Sequence, residues 1–229
     1  MLSSLGAEFE AVNVEGNPAA LELLRRLGGL KVPVVTRGDR YVHGWNPKGV
    51  AELLGVPYTE PGRLSPGELA DRLDRILTAA QRAIRQVPTE KLEMKSPDRD
   101  RPVWQLGYHV FRLSAAFSDA VEQERLPYEW LIETAPAGMR DADAIARYGE
   151  SVRERLRDWF ERAPAALFEG VVNTYYGAQT AHELLERTAW HAAQHLRQLY
   201  VFLGWMGVTP EHPLTDADFA GLPLPKGVW

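Results

Sequence analysis

The chain contains no cysteine. That absence excludes disulfides, thiolate metal ligands and a cysteine nucleophile, so any thiol chemistry needs a thiol from outside the protein. Long hydrophobic runs are missing as well: no stretch of about 18 apolar residues offers a membrane span. The opening MLSSLGAEFEAV has neither the basic start nor the apolar core of a secretory leader, which predicts a cytoplasmic protein. Positive charge is not in excess either. The formal net charge is −5, and the arginines alternate with acids along the helical stretches, leaving no basic field for nucleic acid. Internal repeats and low-complexity segments do not stand out. What the chain does hold is apolar substance: 45% of its 229 residues are hydrophobic, enough to bury a core in one large domain or two small ones.

The most informative stretch is Thr180 to Gly204, TAHELLERTAWHAAQHLRQLYVFLG. Thr180 and Glu183 form a T-x-x-E capping box, and Gly204 is a natural stop. Steps of three and four give an inward seam of Leu184, Thr188, His191, His195, Leu199 and Phe202, with two histidines where leucine is expected. Four residues of helix advance about 6 Å and turn the side chain by about 40°, so both imidazoles lie on one face within reach of one ion. A second stretch, RPVWQLGYHVFRLSAAFSDAVEQ, has the seam Leu106, His109, Leu113, Ala116 and Ala120, again with a histidine in a core slot.

Three inward histidines from two helices point to one site. Three ligands leave coordination positions open to water or substrate, the pattern of an exchangeable or catalytic metal rather than a closed structural one. Neutral imidazole suits zinc, nickel, iron or copper, and the sequence does not choose between these divalent transition metals. The alternative is three core histidines satisfied separately by carbonyls or carboxylates, each unmet nitrogen costing roughly 1–3 kcal/mol.

Residues 1–57 read as a small α/β unit in the order strand, helix, strand, strand, helix. Phe9 to Val14 is strand-like. Asn17-Pro18 starts a helix that stops at Gly28-Gly29. Pro33 to Thr36 and Arg40 to His43 form a hairpin about Arg37-Gly38-Asp39, and Asn46-Pro47 opens a helix ending near Gly55. This order, with VPVV before the hairpin and Gly44 after it, resembles the C-terminal three-quarters of a glutaredoxin. The resemblance implies a cis Val32-Pro33 bond, and it makes MLSSLG the tail of the helix that follows the family's cysteine motif. The first strand and that motif are not in this sequence, so the redox centre is missing and glutaredoxin activity is excluded. The Phe9 strand then loses its usual partner, which predicts a unit that is rearranged, docked on the rest of the chain, or paired with another chain.

Residues 58–64 lie in a proline-rich linker. Ser65-Pro66-Gly67-Glu68 then combines an N-cap serine, a first-turn proline and a capping glutamate. Its helix buries Leu69, Leu73, Ile76, Ala80 and Ile84. Another runs from about Asp141 to Arg162 on a seam of Ile145, Tyr148, Val152, Leu156 and Trp159. Four amphipathic helices with coherent seams predict a mainly α protein, a four-helix bundle over 65–229 whose long connections demand crossovers. The segment GVVNTYYGAQ is non-helical and rich in β-formers, and residues 205–229 are expected to wrap the bundle as an extended tail.

This second region resembles the DinB-like superfamily of metal-binding four-helix bundles. The features that carry the likeness are a histidine near the start of the second helix, in WQLGYHVFR, and H-x-x-x-H-x-x-Q-L in the fourth, in HAAQHLRQL. The resemblance implies that His109, His191 and His195 are a metal triad. It also implies a homodimer, and an S-transferase activity that joins a low-molecular-weight thiol to an electrophilic small molecule. A non-enzymatic metal-binding or stress-response module is the other reading.

Further candidates carry a weaker signal. Tyr175, Tyr176 and Gln198 offer hydrogen bonds near the site, set against packing roles for each. Arg112, one turn beyond His109, offers a guanidinium to a substrate carboxylate or else an interhelical ion pair. A zinc-protease reading fails because Ala192 stands where the general-base glutamate of HExxH belongs. Glu183, next to His182, is better used in the capping box. His43 and His212 are expected at the surface.

Overall fold

Three of the four long helices begin where the sequence supplies a side-chain cap, and the fourth follows Pro102, which makes no cap bond. The computed structural model describes residues 2, 5–14, 16–28, 32–44, 46–57, 62–96, 99–225 and 227–228. Gly29, Met1, Ser3 and Ser4 of MLSSLG, and linker residues 58–61 lie outside them. The chain divides into two units. One comprises Met1–Gly62 with Tyr175–Gly177, the other Arg63–Thr174 with Ala178–Trp229.

The larger unit is built on four helices. Helix α3 spans Pro66–Arg85, α4 Val103–Glu122, α5 Ala142–Arg162 and α6 Ala181–Trp205. Ser65 and Thr180 each close a full capping box, with Glu68 and Glu183 returning the bond to the cap's own N–H. Asp141 caps α5 by accepting from the Ala144 N–H at 2.8 Å. The inward seams are those of the sequence: Leu69, Leu73, Ile76, Ala80 and Ile84 on α3 are all buried, as are Ile145, Val152, Leu156 and Trp159 on α5.

Helix α3 packs along α5 and α6, and α4 packs along the same two, whereas α3 and α4 meet far less. Helices α3 and α4, and likewise α5 and α6, therefore stand on diagonals, and the two links that join them must cross the end of the bundle. Short hairpins do this. Strands β3 (Lys95–Ser96) and β4 (Arg99–Pro102) pair antiparallel in the first link. In the second, β6 (Val171–Thr174) and β7 (Gly177–Thr180) extend to a three-stranded sheet by parallel pairing of β6 with β5 (Arg125–Leu126). The crossovers make α4 and α6 side-by-side neighbours, and these are the helices that carry the histidines. After α6 the chain returns as a turn-rich tail that seats Phe219 and Leu222 in the core.

In the smaller unit, α1 (Pro18–Arg26) and α2 (Pro47–Leu54) flank the hairpin of β1 (Val34–Arg37) and β2 (Arg40–His43). Register runs from Val34 opposite His43 to Arg37 opposite Arg40. Both helices have the expected asparagine caps and first-turn prolines, and Gly55 ends α2 in the left-handed conformation. The Val32-Pro33 bond is cis. One expectation is corrected: Phe9 to Val14 is not a strand. An extended segment becomes a strand only when its N–H and C=O groups find a ladder partner, and among the described residues β1 pairs with β2 alone. Phe9 and Val12 are exposed in consequence. His43, expected at the surface, is half-buried because its side chain follows the inward end of β2. No helix among the described residues is long and apolar enough to cross a membrane.

Candidate metal centre

Helix α4 brings His109 and α6 brings His191 and His195 to one place. Each residue offers a ring nitrogen, and the three nitrogens lie within 4.8 Å of one another. Ring centroids of His191 and His195 are 4.3 Å apart, and His109 lies 5.6 and 5.1 Å from them, all edge to face. His109 and His195 are buried and His191 is half-buried, so one side of the cluster opens outward. No carboxylate joins the cluster among the described residues, which makes this an all-imidazole donor set.

Protonation favours ligation. Burial, then the neighbouring His195 and His109, then the guanidinium groups of Arg187 and Arg101, hold the His191 imidazole well below the ordinary histidine value. A neutral ring keeps a lone pair at neutral pH, as a metal ligand requires. His195 is oriented as well: its Nδ1–H donates to Gln198 Oε1 at 2.6 Å, which leaves the ring lone pair on Nε2. Three convergent imidazoles, with His191 held neutral and half-buried, fit a divalent transition metal.

A small cavity of about 20 Å³ adjoins His191, walled by Leu113, Phe117, Leu126, Leu131 and Leu184, with Arg187 and Thr188 at its polar side. Thr188 turns its hydroxyl back to donate to Leu184 O at 2.8 Å. This lining comes from three stretches distant in sequence, α4, the link after it and α6, and no local motif announces it.

The other candidates sort differently. Gln198 is in the site, in contact with His195. Its spacing of three from His195 on one helix was the available signal. Arg112 is engaged elsewhere: its Nε donates to Glu133 Oε2 at 2.8 Å, Asp119 lies 3.9 Å away, and Trp130 stacks below it, so it takes the ion-pair reading. Tyr175 and Tyr176 belong to the N-terminal unit rather than to the unit that holds the triad. Their rings stand edge to face at 4.7 Å, and Tyr176 is packed against Gly44, where a Cβ would lie 3.0 Å from the ring. Ala192 is buried in the core and offers no base. His182 Nε2–H donates to Leu64 O at 2.8 Å, while Glu183 serves the cap and faces Arg63.

The comparisons with known proteins agree with the larger unit. The solved structure of YfiT from Bacillus subtilis, a four-helix bundle of unusual topology, is similar in fold with a TM-score of 0.55 at 14% identity, over 67% of this chain and 96% of that one. No curated protein matches the sequence. The model of the DinB superfamily matches residues 72–199, more than half of the chain, from within α3 to past the histidines of α6: this protein belongs to the DinB superfamily.

Proposed function

We propose that His109, His191 and His195 hold one divalent transition metal, with zinc or nickel the leading candidates, and that the site transfers a small-molecule thiol to an electrophilic substrate. The observation that carries this reading is the convergence of three imidazole nitrogens within 4.8 Å, open on one side. When bound, such a metal supplies Lewis acidity that lowers the pKa of a thiol or a water at its open position. The protein's own part is arrangement. The rings on α4 and α6 provide lone pairs, Gln198 fixes the His195 tautomer, and leucine and phenylalanine side chains line the small cavity beside His191. With no cysteine in the chain, the nucleophile comes from outside. Its sulfur forms the new bond to carbon, the leaving group takes the displaced electron pair, and the thiol proton goes to solvent.

A hydrolase is the second reading, favoured by YfiT, which is described as "a probable metal-dependent hydrolase". There water takes the place of the thiol. A non-enzymatic metal-binding module is the third. In the first reading the protein is a cytoplasmic homodimer, and residues 1–57, the glutaredoxin-like piece without its cysteines, serve docking or dimerisation.

Elemental analysis of the native protein and a His109→Ala, His191→Ala variant is the first test. About one transition metal per chain in the native protein, lost in a folded variant, supports the site. Assaying His191→Ala with a thiol and a panel of electrophiles separates the readings. Thiol transfer abolished by the change supports the transferase; transfer that survives it overturns that assignment, and hydrolysis without thiol consumption moves the protein to the second reading.

A further inference from the structure

Beyond the bundle, the tail comes back to α6 beside His195. Arg197 Nη1 donates to Pro225 O at 2.7 Å, Gln194 Nε2 donates to Gly227 O at 3.3 Å and to Val228 O at 2.7 Å, and Gln198 Nε2 donates to Val228 O at 3.0 Å. Arg197 also donates to Gln194 Oε1 at 3.1 Å, which orients that amide toward the tail. Upstream, Phe219 and Leu222 are buried in the core. A segment without a strand or helix of its own is thus held by three neighbouring side chains of one helical turn. One of the three, Gln198, is the residue that accepts from His195 Nδ1.

We propose that the backbone carbonyls of Pro225, Gly227 and Val228 form a positioning strap for the metal triad, acting through Gln198. The inference rests on the reading of the triad as a metal site. A glutamine amide has one face that donates and one that accepts. With Val228 O fixed by Gln194, the NH₂ of Gln198 has an acceptor to meet, so its oxygen must turn to His195. Nδ1 then carries the proton and Nε2 keeps the lone pair aimed at the other two histidines. Release of Val228 O leaves the amide free to rotate by half a turn. The NH₂ then faces Nδ1, the opposite tautomer is favoured, and the ligating lone pair at Nε2 is lost. Gln198 is a positioning residue here, and the backbone carbonyl of Val228 sets its direction.

The test uses the full chain in four forms: native, Gln198→Ala, the strap-release pair Gln194→Ala with Arg197→Ala, and the two combined. Zinc affinity is measured by competition with a chromophoric chelator. The His195 tautomer is read in metal-free protein from imidazole ¹⁵N shifts. Strap release is expected to weaken zinc binding about tenfold, at the lower end of outer-shell effects, and to reduce the Nδ1–H tautomer. The combined variant should bind no more weakly than Gln198→Ala alone, because both changes break one chain of contacts. Gln198→Glu provides the control for a merely structural role: its carboxylate accepts from Nδ1 in either orientation, so it should restore the tautomer in the strap-release background. Native tautomer and affinity after strap release, or losses that multiply, overturn the proposal. A native protein that binds no zinc removes the metal reading instead, and the tautomer alone then decides whether the strap orients His195.

Discussion

Helix α1 of the N-terminal unit and α3 of the bundle have similar local sequence grammar and opposite fates for their apolar side chains. In the N-terminal unit, α1 has an asparagine cap, a first-turn proline and leucines at helical spacing, yet none of its residues is buried. In the bundle, α3 has a comparable start and buries Leu69, Leu73, Ile76, Leu77 and Ile84 almost completely. Caps and amphipathic spacing are enough to make a helix; a second surface is needed to stabilise it. Each leucine fully removed from water contributes about 1.5–3 kcal/mol, and α1 collects little of this because Leu21 and Leu23 stay about 40% exposed. The comparison also explains where function sits. The three histidines sit on α4 and α6, each of which packs against two other helices of the bundle.

The sharpest way to break this contrast is to remove one large side chain from each unit. Phe111, fully buried on α4, should lose about 3–5 kcal/mol of unfolding free energy on change to alanine. Leu23→Ala should stay within about 0.5 kcal/mol of the native protein. Urea titration followed by circular dichroism measures both, and equal losses would show that α1 is buried in solution. A smaller effect is expected at Gly149 on α5. A Cβ there would meet the Phe111 ring at 2.6 Å, so overpacking outweighs the helix-propensity gain of alanine, for a net loss of about 1–2 kcal/mol. A stabilised Gly149→Ala protein would mean that the Phe111 ring has room to move.

The caps give the smallest difference. Ser65→Ala removes one half of a capping box and should cost about 1 kcal/mol of bundle stability. Asn17→Ala removes an equivalent cap, whose side chain accepts from the Ala20 N–H at 3.1 Å, but should leave the main unfolding transition unmoved. Native-state hydrogen exchange sharpens this last point. Amides of α1 should exchange at rates set by local opening, while those of α3 and α6 approach the global free energy. Similar protection in α1 and α3 would count against the division into strongly and weakly packed units.

Much of this molecule was legible in its sequence. The capping boxes at Ser65 and Thr180 placed the starts of α3 and α6, and the seams through Leu106 and Leu184 put His109, His191 and His195 inward before any packing was known. Such features depend on neighbours within about one helical turn, so local periodicity records them. Phe9 to Val14 shows where that record fails. Its residues have strand-like alternation, but a strand is a relation between two segments, and the second is absent among those described. Arg112 is similar: its place one turn from His109 left two uses open, and only the position of Glu133, in a link with no regular pattern, selected the ion pair.

By itself, the sequence determined the absence of thiol chemistry from its own residues, the four bundle helices, their caps and the inward direction of the three histidines. The tertiary structure decided which helices became neighbours, since crossover hairpins and the diagonal of α3 and α4 are set by global packing. It alone brought Val228 to Gln198 and Gln198 to the question of which nitrogen of His195 is free to ligate. Periodicity fixes the direction of a side chain about its own helix axis; the distance between two helices, and the partner a polar group finds there, is settled only when the whole core closes.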